Sequence, residues 1–186
     1  MGYIIWFTGM SGSGKTTLSN LLFEVLIKNS FSVLQVDGDQ VRKTDKNYII
    51  NEENIIKNNL RIIEEIDKKK HQYQFILVSV ISPFKKIRQF AKNKWGDIYI
   101  EIFVNCKLKI LIKRDTKNLY KKYYNGEINN LIGMSEIPYQ EPSNPNLIIN
   151  SDLQRPNYSI DVIVGFINNI LKRENCFGNK RLIEKL

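Results

Sequence analysis

Residues 9–16 read G-M-S-G-S-G-K-T, the complete pattern G-x-x-x-x-G-K-[ST] of a phosphate-binding loop. Its flanks give it meaning. Tyr3-Ile4-Ile5-Trp6-Phe7 is an apolar run that reads as a buried strand, and the residues after the loop are apolar at 18, 21, 22, 25 and 26, the spacing of one helix face. Gly9, Gly12 and Gly14 allow the backbone to curl until its N–H groups share one concavity. The helix that follows adds unpaired N–H groups and the positive end of its dipole. In that setting Lys15 is expected at the β- and γ-phosphates of a nucleoside triphosphate, with the Thr16 hydroxyl on Mg²⁺.

The rest of the chain alternates in the same manner. Strands are expected at 31–36, 75–81, 98–104 and 147–149, the run from Phe75 to Ile81 being continuous enough for a central position. Helices are expected at 53–69, from Pro83 through Lys92, at 108–115 and at 160–171. Such alternation predicts a parallel sheet with helices on both faces, and ligands at the carboxyl ends of its strands. The loop at Gly9, the acids Asp37 and Asp39, and the stretch Ile81-Ser82-Pro83 all fall at strand ends and are expected to converge. Residues 116–145, rich in lysine, tyrosine and proline, are too long for an ordinary connection and are expected to form an active-site lid. The tail from about 174 to 186 reads as surface helix or loose chain, and residues 1–186 read as one domain.

Composition narrows the partners. The chain carries 28 basic and 19 acidic side chains, a formal charge of +9, without the aromatic-interleaved basic stripe of a nucleic-acid surface. Small phosphorylated ligands suit it better than nucleic acid. Two distant cysteines, Cys106 and Cys176, supply neither a disulfide framework nor a zinc pattern. His71 is the only histidine, so no histidine triad or cluster can form, and its polar surroundings place it in a surface loop. No apolar run is long enough for a membrane span. The first strand begins at once, which leaves no room for a signal peptide, and a cytoplasmic location is expected.

Motifs of the GTPases, D-x-x-G and N-K-x-D, do not occur. The third strand ends in Ser79-Val80-Ile81-Ser82-Pro83 with no acid, so Asp37 and Asp39 must supply the carboxylates near metal and acceptor. That arrangement suits a kinase acting on a small hydroxyl.

Over roughly residues 3–152 the chain resembles the adenylyl-sulfate (APS) kinases. The resemblance rests on W-F-T-G-M-S-G-S-G-K-T-T, V-D-G-D-Q-V-R (36–42), E-E-N-I (52–55), V-I-S-P-F (80–84), E-I-F-V (101–104), R-D-T-K-N-L-Y-K-K (114–122), N-G-E-I (125–128), Y-Q-E-P (139–142) and P-N-L-I (145–148). It implies an α/β P-loop nucleotide kinase with a parallel five-stranded sheet, helices on both faces and a lid, usually dimeric. It further implies ATP and Mg²⁺ as cofactors and transfer to the ribose 3′-hydroxyl of adenosine 5′-phosphosulfate.

By position in these motifs, Gly9, Ser11, Gly12, Ser13, Gly14, Lys15, Thr16 and Thr17 surround the ATP phosphates. Arg114 lies against the ATP base. Thr16 and Asp37 serve the metal. Asp39 takes the hydroxyl proton or orients the acceptor, with Lys15 and Ser82 beside it in the catalytic set. Arg42, Asn54, Ile81, Ser82 and Leu131 contact the acceptor together with the two acids, and Lys121 and Lys122 close over the phosphates.

Departures cluster on the acceptor side. The segment between Arg42 and Asn54 is shorter than the family's, Asn51 stands where a second arginine falls, and Tyr48 is the nearest substitute for a base-stacking phenylalanine. In the lid, Leu131 replaces an aromatic residue and Ser135 an aspartate. Losing a ring stack and an arginine contact removes about 1–3 and 1.5–3 kcal/mol respectively. Two acceptors therefore stay open: adenosine 5′-phosphosulfate, and cytidine diphosphoramidate, the acceptor of an APS-kinase-like branch. A non-catalytic ATP-binding partner and a nucleic-acid 5′-kinase are the remaining alternatives.

Overall fold

A computed structural model describes residues 2–39, 49–175 and 183–184. Five strands among them form one parallel sheet in the order β2-β3-β1-β4-β5. In chain order the elements are β1 (Tyr3–Thr8), α1 (Lys15–Lys28), β2 (Val33–Asp37), α2 (Glu52–Lys69), β3 (Phe75–Ser79), α3 (Lys85–Trp95) and β4 (Tyr99–Asn105). After them come α4 (Leu108–Arg114), α5 (Leu119–Tyr124), β5 (Leu147–Asn150) and α6 (Pro156–Asn175).

β1 is buried along its whole length because both faces of the sheet are covered. Alternate side chains then serve different cores. Tyr3, Ile5 and Phe7 pack with α1 and α6, whereas Ile4 and Trp6 pack with α2 and α3. Trp6, Phe7 and Trp95 are all core residues, as the sequence implies. A third, smaller cluster joins Leu111, Tyr120 and Leu131, and it ties the lid to the body.

Boundaries shift where local chemistry intervenes. β3 is flanked by β2 and β1 but leaves the ladder at Ser79, two residues before the expected end. Beyond it the Ile81 carbonyl accepts from Thr8 Oγ1 at 2.6 Å, and Ser82 adopts a left-handed φ of 44°. The following helix starts at Lys85 rather than Pro83, because Phe84 is still extended. The last helix gains a turn at its start, where Pro156 takes the first helical position that proline favours.

The lid is not one long loop. It contains α5, and it is held by Tyr120 Oη donating to the Ser11 carbonyl (3.0 Å) and Tyr123 Oη donating to the Met134 carbonyl (2.9 Å). Nor is the described part of the tail loose. Ile183 is buried in the α1–α6 core, its backbone N–H and C=O both paired at 2.8 Å with the Asn168 carboxamide. The rest of the expected tail from 176 onward lies outside the described residues.

Candidate active site

The parallel sheet brings the ends of β1, β2 and β3 to one edge, and a cleft opens there. It holds about 1060 Å³ of space, counting the open solvent at its mouth. One wall is the loop between β1 and α1. The opposite wall is formed by α2, the segment after β3, and the lid.

The phosphate loop leaves its donors open to a ligand. Gly14 precedes α1 without a side-chain cap, and no acid occupies the first turn, so the early N–H groups stay available to an anion. Gly9 is required by a close approach: a Cβ there would lie 2.5 Å from the Val104 carbonyl oxygen on β4. Lys15 is buried, and its Nζ donates to the Met10 carbonyl across the loop at 2.8 Å. Ser11, Gly12, Gly14, Lys15, Thr16 and Thr17 line the cleft. Gly9 and Ser13 stand behind it, both buried.

The two acids arrive opposite this loop. Asp37 ends β2, and its Oδ2 accepts from Thr16 Oγ1 at 2.9 Å. Its Oδ1 accepts from the Asp39 backbone N–H at 2.7 Å, which folds the turn back on itself. Gly38 lets this turn press on the end of β3, since a Cβ there would meet the Val80 side chain at 2.9 Å. Asp39 forms an ion pair with Lys117 from the lid. Hydroxyl and carboxylate oxygens at Thr16 and Asp37 form a donor set suited to a hard cation that keeps most of its shell as phosphate and water. Among the described residues no cluster of three or more His, Cys, Asp or Glu could hold a metal by itself.

Ile81, Ser82 and Leu131 line the same cleft. Ser82 is 1% exposed and its hydroxyl has no hydrogen-bond partner; Ser79 Oγ, also in the wall, has none either. The segment that carries Ser82 is fixed from behind by Arg88. This guanidinium donates to the Ser82 and Gln140 carbonyls, both at 2.5 Å, and pairs with Glu101 at 2.8 Å. Burial pushes the Glu101 carboxyl up, against the opposing pull of Arg88 and Lys92.

Four expected residues are not in this wall. Arg114 reaches Ser151, donating to its hydroxyl (3.2 Å) and its carbonyl, outside the cleft lining. Asn54 donates to the Ile49 carbonyl at 2.9 Å at the start of α2. Lys121 and Lys122 are exposed on α5 and are not part of the cleft lining. The reason is the turn at Asp115, whose carboxylate accepts from the N–H groups of Tyr120 (3.1 Å) and Lys121 (2.9 Å). That turn delivers Thr116 and Lys117 into the cleft instead. Arg42 and Tyr48 lie outside the described residues. Asn51, at the place of the second arginine, is the N-cap of α2 and accepts from the Asn54 N–H at 2.8 Å.

Sequence reasoning passed over Lys117, Ser79, Arg88 and Asn59. Lys117 looks like its lid neighbours Lys121 and Lys122; helix spacing places Asn59 with Ile55, Ile62 and Ile63, and Arg88 with Ala91 and Trp95, on buried faces, but it does not mark either one as part of a site.

Comparison with known proteins agrees with this geometry. The family model described as adenylylsulphate kinase matches residues 1–150. A probable adenylyl-sulfate kinase of Archaeoglobus fulgidus is 36% identical over 153 residues, covering 82% of this chain and 97% of that protein. An adenylyl-sulfate kinase of Thermodesulfovibrio yellowstonii is 35% identical over 175 residues, covering 91% and 86%. The structure of the Mycobacterium tuberculosis APS kinase in complex with AMPPNP and APS superposes with a TM-score of 0.82 at 28% identity, over 89% of this chain and 97% of that one. With the phosphate loop, the facing acids and the lid all in place, the chain belongs to the adenylylsulphate kinase family.

Proposed function

We propose that this protein is an ATP-dependent phosphotransferase that moves the γ-phosphoryl group to the ribose 3′-hydroxyl of adenosine 5′-phosphosulfate, releasing ADP. The observation that carries the reading is the Thr16–Asp37 contact at 2.9 Å, which puts the acid turn of β2 directly against the phosphate loop. Phosphoryl transfer asks little covalent chemistry of a protein; positioning and charge neutralisation do most of the work. The loop N–H groups and Lys15 hold the triphosphate. Thr16 and Asp37 fit Mg²⁺, which when bound neutralises phosphate charge. Asp39 orients the acceptor hydroxyl and receives its proton as the oxygen–phosphorus bond forms. Lys117 reaches Asp39 from the lid, so lid closure and the arrangement of this acid are linked. The unpaired Ser79 and Ser82 hydroxyls offer hydrogen bonds to the acceptor. Arg114, Asn54, Lys121 and Lys122 stay candidates only for a more closed lid.

A second acceptor has two observations in its favour. Asn51 serves as a helix cap where the family carries an arginine, and Leu131 is aliphatic and buried. An acceptor with a smaller base, such as cytidine diphosphoramidate, suits that wall. We also propose a homodimer working in the cytoplasm, where ATP is abundant and the buried free thiol of Cys106 stays reduced. Among the described residues no helix is long and apolar enough to cross a membrane.

ADP release from ATP·Mg²⁺, measured with adenosine 5′-phosphosulfate, cytidine diphosphoramidate and their parent nucleotides, tests the assignment. Turnover is expected with at least one of them, and Lys15→Ala is expected to abolish it for all. Absence of turnover with the whole panel would favour a non-catalytic ATP-binding protein, and labelling of oligonucleotide ends alone would favour a nucleic-acid kinase.

A further inference from the structure

Asn59 lies on α2 one turn beyond Ile55, in the wall of the cleft. It is 2% exposed. Its Nδ2 donates to the Ile55 carbonyl at 2.7 Å, while its Oδ1 has no hydrogen-bond partner among the described residues. That orientation is dictated by chemistry: the reversed carboxamide would set its oxygen against the Ile55 carbonyl, acceptor against acceptor. A buried carbonyl oxygen without a donor is costly, and native structures rarely keep one. Asparagine also brings no helical propensity to an interior position that leucine would fill better. The residue therefore carries a cost that no contact among the described residues offsets.

Ile50, Ile55, Leu131 and Ile132, which line the cleft with it, are aliphatic, and the phosphate loop and the acids line the same cleft. A planar ring can lie against such surfaces, and its edge then meets one fixed, uncharged acceptor. We propose that Asn59 Oδ1 accepts a hydrogen bond from the exocyclic amino group of the acceptor's base, making Asn59 a specificity-determining residue for amino- over oxo-substituted bases. The assignment rests on the reading of the cleft as a nucleotide ribose kinase. It covers adenine and cytosine alike. Hypoxanthine and uracil place a carbonyl where that amino group stands, so lone pair faces lone pair.

The test compares substrates that differ only there. ADP release is followed with saturating ATP·Mg²⁺ for adenosine against inosine 5′-phosphosulfate, and for cytidine against uridine diphosphoramidate. In the pair that is used, the amino member is expected to show at least about a tenfold higher kcat/KM, as for sites built around one substrate hydrogen bond. Asn59→Leu is expected to bring that ratio close to one, mainly through KM for the amino member, with KM for ATP unmoved. Equal kcat/KM for both members in the unaltered protein would overturn the role of Asn59 and leave the kinase reading standing. A preference that survives in the Asn59→Leu protein, or an equal loss for both members, would overturn it as well. No ADP from any of the four acceptors would remove the kinase reading, and this proposal with it.

Discussion

Asp37 and Asp39 stand two residues apart and do different work. Asp37 spends both oxygens on fixed partners, the Thr16 hydroxyl and the Asp39 N–H. Asp39 pairs with a lid lysine at an exposed site, where such a pair contributes about 0–1 kcal/mol. It is thus the acid that a substrate hydroxyl can claim. Asp39→Asn is expected to lower kcat by about 10²–10⁴, the usual weight of a positioned base, while ATP affinity by calorimetry stays nearly unchanged. Undiminished turnover would pass the role to another group. Both acids were legible in the sequence because a D-G-D turn after a strand has few other uses beside a phosphate loop. Lys117 was not, since it looks like Lys121 and Lys122. Only the Asp115 turn, with φ values of 26° at Asp115 and 54° at Asn118, separates inward from outward lysines.

At the scale of elements, α5 is what the sequence concealed. It has six residues, and helices so short have no periodicity to read. Its hold on the body is a buried hydroxyl: Tyr120 Oη donates to the Ser11 carbonyl inside the phosphate loop. Burial, with Asp115 and Cys106 nearby, pushes the Tyr120 phenol up to about 12, so it remains a donor throughout the physiological range. Tyr120→Phe keeps the ring and leaves the carbonyl unpaired, at about 1–3 kcal/mol. The expected result is a raised KM for ATP with kcat changed much less, checked by steady-state kinetics; an unchanged KM would mean that the lid is held by apolar contacts alone. α2, by contrast, was legible nearly to the residue. Its apolar positions 55, 62, 63 and 66 are buried, with Asn59 on the same face, and Asn51 supplies an ordinary cap. That cap also explains why restoring an arginine at 51 carries a stability cost of about 1 kcal/mol before any gain in acceptor binding.

Across the whole molecule, the parallel sheet followed from the alternation of apolar runs with helical spacing, and the strand edge where the ligand residues meet followed from the sheet. Strand order and the cross-braces between distant segments did not, because they depend on which faces meet. The Glu101–Arg88 pair joins β4 to α3 in that way. Burial raises the Glu101 carboxyl, so the folded chain holds this proton to higher pH than the unfolded chain. Its contribution to stability is complete below the ordinary value of 4.5 and is lost as pH rises through the raised value. Glu101→Gln is therefore expected to flatten the decline of the thermal midpoint with rising pH above about 4.5; an unaltered slope would mean that Arg88 keeps the carboxylate ionised.

The Arg88 guanidinium holds the Ser82 carbonyl with one nitrogen and the Gln140 carbonyl with another. Selection for a new acceptor cannot move the serine segment while leaving the returning segment of the lid where it was. Changes at the two places will be inherited as a pair, and a lineage that drifts at one will carry a compensating change at the other.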